Sequence, residues 1–244
     1  MMIIDISAAS WTGRVRSQNE DMILVADRFI REDSLKTQAV VDGDDRLLIA
    51  VADGMGGHNR GDVASSDTLH NLQYFFYDIP ACLTAGDFNE AIVGWLESIN
   101  NYVAAKGRAD EQFKGMGTTL VSFAYYNGNF YSMNCGDSRL YRYHDQQLDQ
   151  LTTDHSLSNE KHSNVITNCI GGGFNSSFID MVQITAMVKS GNLFLLCSDG
   201  LTDMLDDAAI SELLAQGADA SALCSAAIEA GGIDNVSCCV ITVK

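Results

Sequence analysis

Leu47-Leu48-Ile49-Ala50-Val51-Ala52 runs without a break into Asp53-Gly54-Met55-Gly56-Gly57-His58. Six apolar residues in a row, ended by an acid and a glycine cluster, read as a strand buried on both faces that stops at a carboxylate. The same pattern recurs at Leu193-Phe194-Leu195-Leu196-Cys197-Ser198, which ends in Asp199-Gly200. A third acid, in Asp234-Asn235, opens the apolar run Val236 to Val243. Carboxylates at such ends are held by rigid backbone and partly removed from water. If they converge they repel, at roughly 4 kcal/mol per pair for 4 Å and an effective dielectric near 20. They must then protonate or gather around a cation, and a hard divalent metal suits oxygen donors.

Outward from these runs the chain alternates hairpins with paired helices. Strands are expected at Ile3–Trp11, Met22–Ala26 and Arg46–Ala52. Further strands are expected at Thr118–Tyr126, Phe130–Cys135, Arg139–Tyr143 and Leu148–Leu151, with Asn127-Gly128 as a hairpin turn. Later strands are expected at Val165–Ile170, Phe178–Val188, Leu193–Cys197 and Val236–Val243. Helical spacing of apolar residues marks Asp62–Tyr77, Asp87–Lys106, Asp206–Ala215 and Asp219–Ala230. Consecutive strands and grouped helices imply an α+β fold, with antiparallel sheets covered by helix pairs rather than alternating βαβ units.

Composition sets the limits. The chain has 244 residues, 46% hydrophobic and 19% charged, with a net charge of −17, as expected of a globular protein with a sizeable core. One proline and no linker-like stretch favour a single domain over residues 1–244. The acidity argues against nucleic acid or an anionic membrane as partner. It also implies weak affinity for highly acidic peptides. Seven cysteines without a C-x-x-C pair point to a reducing compartment. With no leader-like start and no run of about 20 apolar residues, a cytoplasmic protein is expected.

Several shorter motifs carry chemistry. Arg16-x-x-Asn19-Glu20-Asp21 offers a cation and two acids within six residues, and alone fits a solvated loop as well as a site. Gly115-Met116-Gly117-Thr118-Thr119 and Asn134-Cys135-Gly136-Asp137-Ser138 lie at strand starts, where turn punctuation is the plain reading. Some chemistries are excluded. No arginine follows any cysteine at the C-x₅-R spacing of thiol phosphatases, and no G-x-x-x-x-G-K-[ST] loop is present. Asp42-Gly43-Asp44 is a weak match to a D-x-D nucleophile loop, but a second strand follows where a helix or cap is required. Asp154-His155-Ser156 is no triad, because adjacent residues cannot form the relay.

Taken together and in this order, these motifs resemble the metal-dependent type 2C serine/threonine protein phosphatases, the bacterial subtype above all, from about Ser7 to Lys244. The resemblance implies a four-layer α/β/β/α sandwich of two antiparallel sheets flanked by helix pairs, with two Mn²⁺ or Mg²⁺ ions per chain. By motif position Asp53 bridges both ions and the Gly54 carbonyl ligates one. Asp199 and Asp234 complete the other, while Glu20 and Asp21 act through water. Asp137, with Asp199, matches a weaker third metal site, and Arg16 matches the phosphate-binding arginine. Implied partners are phosphoserine and phosphothreonine proteins made by a cognate kinase in signal transduction, served by a monomer. Two features depart from the pattern. Met55 replaces the histidine that serves animal members as candidate acid, and His58 reads as a helix-start residue with a local hydrogen bond. The flap, at about 154–164, looks shortened. The rival class is a phosphatase-like module that binds partners without turnover; its mark would be a lost metal ligand, and every matching position is intact.

Overall fold

The computed structural model describes residues 1–55, 60–157 and 165–244. His58, His162, Asn164 and most of the expected flap lie outside the described residues.

In chain order the strands are β1 (Met2–Trp11), β2 (Met22–Val25), β3 (Arg28–Ile30), β4 (Asp33–Val41), β5 (Arg46–Ala52) and β6 (Gly54–Met55). Two long helices follow, α1 (Gly61–Asp78) and α2 (Ala85–Ala109). Then come β7 (Gly117–Thr118), β8 (Leu120–Tyr126), β9 (Asn129–Cys135), β10 (Arg139–His144), β11 (Gln147–Gln150), β12 (Ile170–Gly171), β13 (Asp180–Gln183) and β14 (Leu193–Cys197). The chain closes with α3 (Asp199–Thr202), α4 (Asp207–Ala215), α5 (Ala220–Ala230) and β15 (Val236–Val243).

One antiparallel sheet runs β11-β10-β14-β15-β1-β4 and the other β13-β9-β8-β5-β2-β3. Three cores separate four layers. Along β5, Leu47, Ile49 and Val51 face the other sheet, while Leu48, Ala50 and Ala52 face α1 and α2. Along β15, Cys239 and Ile241 lie between the sheets, and Cys238 and Val240 pack on α4 and α5. Antiparallel strands with helices on one face and a second sheet on the other lose the alternation of a half-exposed strand. That is why they read as unbroken apolar runs. Each buried Leu, Ile or Phe contributes about 1.5–3 kcal/mol.

Helix starts fall one residue inside the expected limits at α4 and α5. Asp206 and Asp219 are caps, their carboxylates accepting the backbone N–H of Ala209 and Ala222 at 2.8 and 2.9 Å. Two expected strands contract. Of Val165–Ile170 only Ile170 is in a strand, with Ile166 in an isolated bridge to Ser156. Phe178–Val188 is strand only at Asp180–Gln183 and turns into a 3-10 helix at Thr185–Met187. There Phe130 N–H reaches out to the Thr185 hydroxyl at 2.9 Å, ending the strand pairing. β3 and β4 were not expected. β4 is a sheet edge, largely exposed along its length, so it carries no apolar run.

Candidate active site

Strand register assembles the acids. β2 and β5 pair Met22 with Ala52, so Asp21 and Asp53 leave their strands side by side. β10 and β14 pair Arg139 with Cys197, so Asp137 and Asp199, each two residues further on, emerge together. Asp234 arrives on the neighbouring β15, and Arg16 donates to its Oδ2 at 2.6 Å. Five stretches distant in sequence thus meet at one end of the sandwich.

The glycine after each strand-end acid has a packing reason. A Cβ on Gly54 would collide with the carbonyls of Gly61 and Glu20, and one on Gly200 with the carbonyl of Asn235. Three backbone segments meet at Gly54, which seats β6 beside the loop carrying Glu20. Asp53 is braced in turn: its N–H donates to Thr119 Oγ1 at 3.0 Å and its carbonyl accepts from Thr118 Oγ1 at 2.9 Å. The Gly117-Thr118-Thr119 stretch is therefore the support of Asp53, not turn punctuation. Asn235 ties the opposite wall, accepting Glu20 N–H at 2.9 Å and donating to the carbonyls of Thr12 and Gln18.

The electrostatics are those of crowded acids. Asp21 is buried, and loss of water raises its pKa to about 7 despite hydroxyl bonds from Ser198 and Ser237. Burial raises Asp137 to about 7, helped by the charge of Asp199. Asp199 rises to about 6, by burial and by the charges of Asp203 and Asp234. Asp53 lies well above the ordinary range, through burial and then the charges of Asp21, Asp199 and Asp137. Asp53 and Asp199 stand within hydrogen-bonding reach, a contact two ionised carboxylates cannot make. Glu20 is raised too, mostly by burial, and accepts Gly61 N–H at 3.1 Å.

Among the described residues no three His, Cys, Asp or Glu side chains close around one point as a finished metal cage. Asp234 is drawn instead to Arg16, half-exposed at the rim, which is the cation that faces the acids. The donors are carboxylate oxygens, part-buried and short of counter-charge, a set that fits a hard divalent ion and not a soft one.

Two supporting residues have no role in the sequence reading, His155 being weighed there only as part of a triad. Arg31, in the turn between β3 and β4, donates its Nε to the Asp21 carbonyl at 2.6 Å. Its Nη2 reaches Asp62 O at 3.0 Å, Ser65 Oγ at 2.7 Å and Glu20 O at 3.4 Å. One part-buried guanidinium thus clamps the Glu20-Asp21 loop to α1 and places a positive charge behind the acids. Arg31→Met takes the guanidinium donor from the Asp21 carbonyl and leaves the Glu20 and Asp62 carbonyls to the Ser65 hydroxyl alone among side chains. It should lower unfolding free energy by about 2–4 kcal/mol in urea titration and weaken divalent-ion uptake; an unchanged midpoint and uptake would refute the clamp. His155 is the second. Its Nδ1 accepts from Gly136 N–H at 3.1 Å and Asn168 Nδ2 at 2.8 Å, so its proton sits on Nε2, 3.1 Å from Asp180. His155 thereby props the turn that carries Asp137, and Asp154 is occupied by a bidentate bond from Arg139. Nothing local marks either residue, since their partners lie across the fold.

With this geometry established, comparison with known proteins is direct. The family model for protein phosphatase 2C matches residues 26–227. The protein phosphatase PhpP of Streptococcus pneumoniae is 29% identical over 99% of this chain and 98% of its own length. A serine/threonine phosphatase structure from S. agalactiae superposes with a TM-score of 0.82 at 27% identity, covering 99% of this chain and all of that one. The catalytic domain of the serine/threonine protein phosphatase PstP, solved with two manganese ions, gives 0.73 at 28% identity, covering 100% and 99%.

Proposed function

The chain belongs to the protein phosphatase 2C family, and from that premise we propose that it is a metal-dependent serine/threonine phosphoprotein phosphatase. The observation that carries the reading is the meeting of Asp21, Asp53, Asp137, Asp199 and Asp234 from distant segments, with Arg16 on the rim. In this reading Asp53, the Gly54 carbonyl, Asp199 and Asp234 would hold two Mn²⁺ or Mg²⁺ ions, Glu20 and Asp21 would act through water, and Asp137 with Asp199 would serve a weaker third ion. When bound, the ions supply Lewis acidity to activate water for in-line attack on phosphorus, and counter-charge for the phosphoryl group.

The chain's own residues do the rest. Arg16 presents a planar fork to two phosphate oxygens, held in place by Asp234. Arg31 and His155 keep the Glu20-Asp21 loop and the Asp137 turn from relaxing apart under their own repulsion. Met55 has no proton to give, so the leaving serine alkoxide is protonated from solvent in the cleft. Substrates are phosphoproteins made by a serine/threonine kinase, and the enzyme works as one domain and one copy in the cytoplasm. Six of the seven free cysteines are buried, which suits a reducing compartment. No helix among the described residues is long and apolar enough to cross a membrane.

The test is turnover of p-nitrophenyl phosphate and of a phosphoserine peptide, with and without Mn²⁺. Hydrolysis should require the ion, vanish after EDTA dialysis and return on adding Mn²⁺. Alkylation of the exposed Cys82 should leave it unchanged. Activity that survives the chelator, or fails to appear with Mn²⁺, contradicts the reading.

A further inference from the structure

α2 and the segment after β12 enclose a cavity of about 240 Å³ that no step above uses. Among its lining residues are Asn100, Arg108, Phe113, Lys114, Met116 and Phe174. Gly171 and Met116 in its wall belong to or adjoin the small sheet β12-β7-β6, whose other edge follows Asp53. Gly171 pairs with Gly117, and Gly117 pairs with Met55, two residues after Asp53. At about 4.8 Å between neighbouring strands, the cavity begins about 10 Å from the strand that follows Asp53.

Its polar groups on this side are donors. Asn100 is 4% exposed, and its Oδ1 is used twice, by Gly171 N–H at 2.8 Å and by the Ser177 hydroxyl at 3.0 Å. Those bonds fix which end of the amide is free. Its Nδ2 has no hydrogen-bond partner among the described residues and is not sealed from solvent, so the amide is open to the cavity that Asn100 lines. At the mouth Arg108 has no ion pair among the described residues. Lys114 is paired only with Glu111, at 2.8 Å, and both side chains of that pair are exposed. Such a pair is worth little and yields readily to a competing anion. Lys106 and Arg60 lie over the Phe113 ring but are engaged with Asp67 and Asp62. In a chain with 15 basic and 32 acidic residues, a free amide donor and an arginine without an ion pair among the described residues, lining one cavity, make a place for an acceptor of negative charge.

We propose that this cavity is a substrate subsite that takes the carboxylate side chain of an Asp or Glu in the phosphoprotein, about three residues from the phosphorylated serine or threonine. The inference rests on the phosphatase reading. The spacing follows from reach, since an extended peptide covers about 3.3–3.6 Å per residue and must span roughly 10 Å. The general acidity of the chain still disfavours a peptide acidic throughout. The cavity selects one acid at one distance.

The experiment uses the whole chain with Mn²⁺ and a series of phosphoserine peptides, neutral except for a single Glu placed two to five residues to either side. The KM should fall about tenfold when Glu stands about three residues from the phosphoserine on one side, with kcat little changed. Arg108→Glu and Lys114→Glu, both exposed positions, should erase that preference while leaving p-nitrophenyl phosphate turnover as it was. A peptide ranking that ignores the position of Glu, or one that persists in Arg108→Glu, overturns the subsite while p-nitrophenyl phosphate turnover upholds the phosphatase reading. Absence of Mn²⁺-dependent turnover of p-nitrophenyl phosphate by the unaltered chain overturns both.

Discussion

Asp53→Asn should reduce Mn²⁺-dependent turnover of p-nitrophenyl phosphate by at least about a thousandfold, on the order of 4 kcal/mol of barrier. It should also raise the thermal midpoint of the metal-free protein. Both effects have one cause. Asp53 stands among Asp21, Asp199 and Asp137, and burial together with their charges holds its pKa well above the carboxylate range. A neutral amide of the same shape removes repulsion that the folded chain otherwise bears, and removes the oxygen charge that would hold two ions. The backbone brace at Thr118 and Thr119 involves only main-chain atoms of residue 53, so the substitution leaves it intact. A variant equal to the parent in turnover, or a metal-free midpoint that drops, would mean that Asp53 is an ordinary structural acid.

The second large effect is a reversed pH dependence of stability. Asp21 and Asp137, at about 7, and Asp199, at about 6, keep their protons in the fold. In the unfolded chain they lose them near 4. Between those values the native state binds more protons than the unfolded state, so stability falls as pH rises from about 4 to the folded pKa values and levels off above them. A shift of three units corresponds to about 4 kcal/mol, and the sites interact, so the shifts do not simply add. The metal-free protein should therefore lose several kcal/mol between pH 5 and pH 8. Below about pH 4 stability falls instead, because Asp62 and Asp219, held below their ordinary values by Arg60 and Lys36, take up protons more readily in the unfolded chain. Saturating Mg²⁺ should flatten or invert the slope, since ion binding requires the deprotonated acids. Urea midpoints at four pH values, with and without Mg²⁺, decide the matter. Metal-free stability that climbs from pH 5 to pH 8 would contradict the crowded-acid picture.

What the sequence made legible follows from where each signal originates. β5, β14 and β15 are covered on both faces, so their apolar runs and the acids ending them stand out. The braced glycines and threonines could be found as motifs, but their purpose is set by contacts between segments, as at Gly54 and Thr119. Val165 and Phe178 prolonged two expected strands although each is about half exposed, 54% in both cases. Apolar character there does not report burial. β4 left no trace because an edge strand facing solvent may carry Asp33, Lys36 and Gln38 without cost. Arg31 and His155 are single residues in turns, and only the folded chain brings carbonyls and N–H groups to them.

The whole account depends on carboxylates from remote segments sharing divalent ions. Calorimetric titration of Mn²⁺ into the metal-free chain and into Asp199→Asn and Asp234→Asn tests this most directly. Two ions should enter the parent chain with high affinity, and each variant should lose one of them. No uptake by the parent, or two ions retained in both variants, would contradict it.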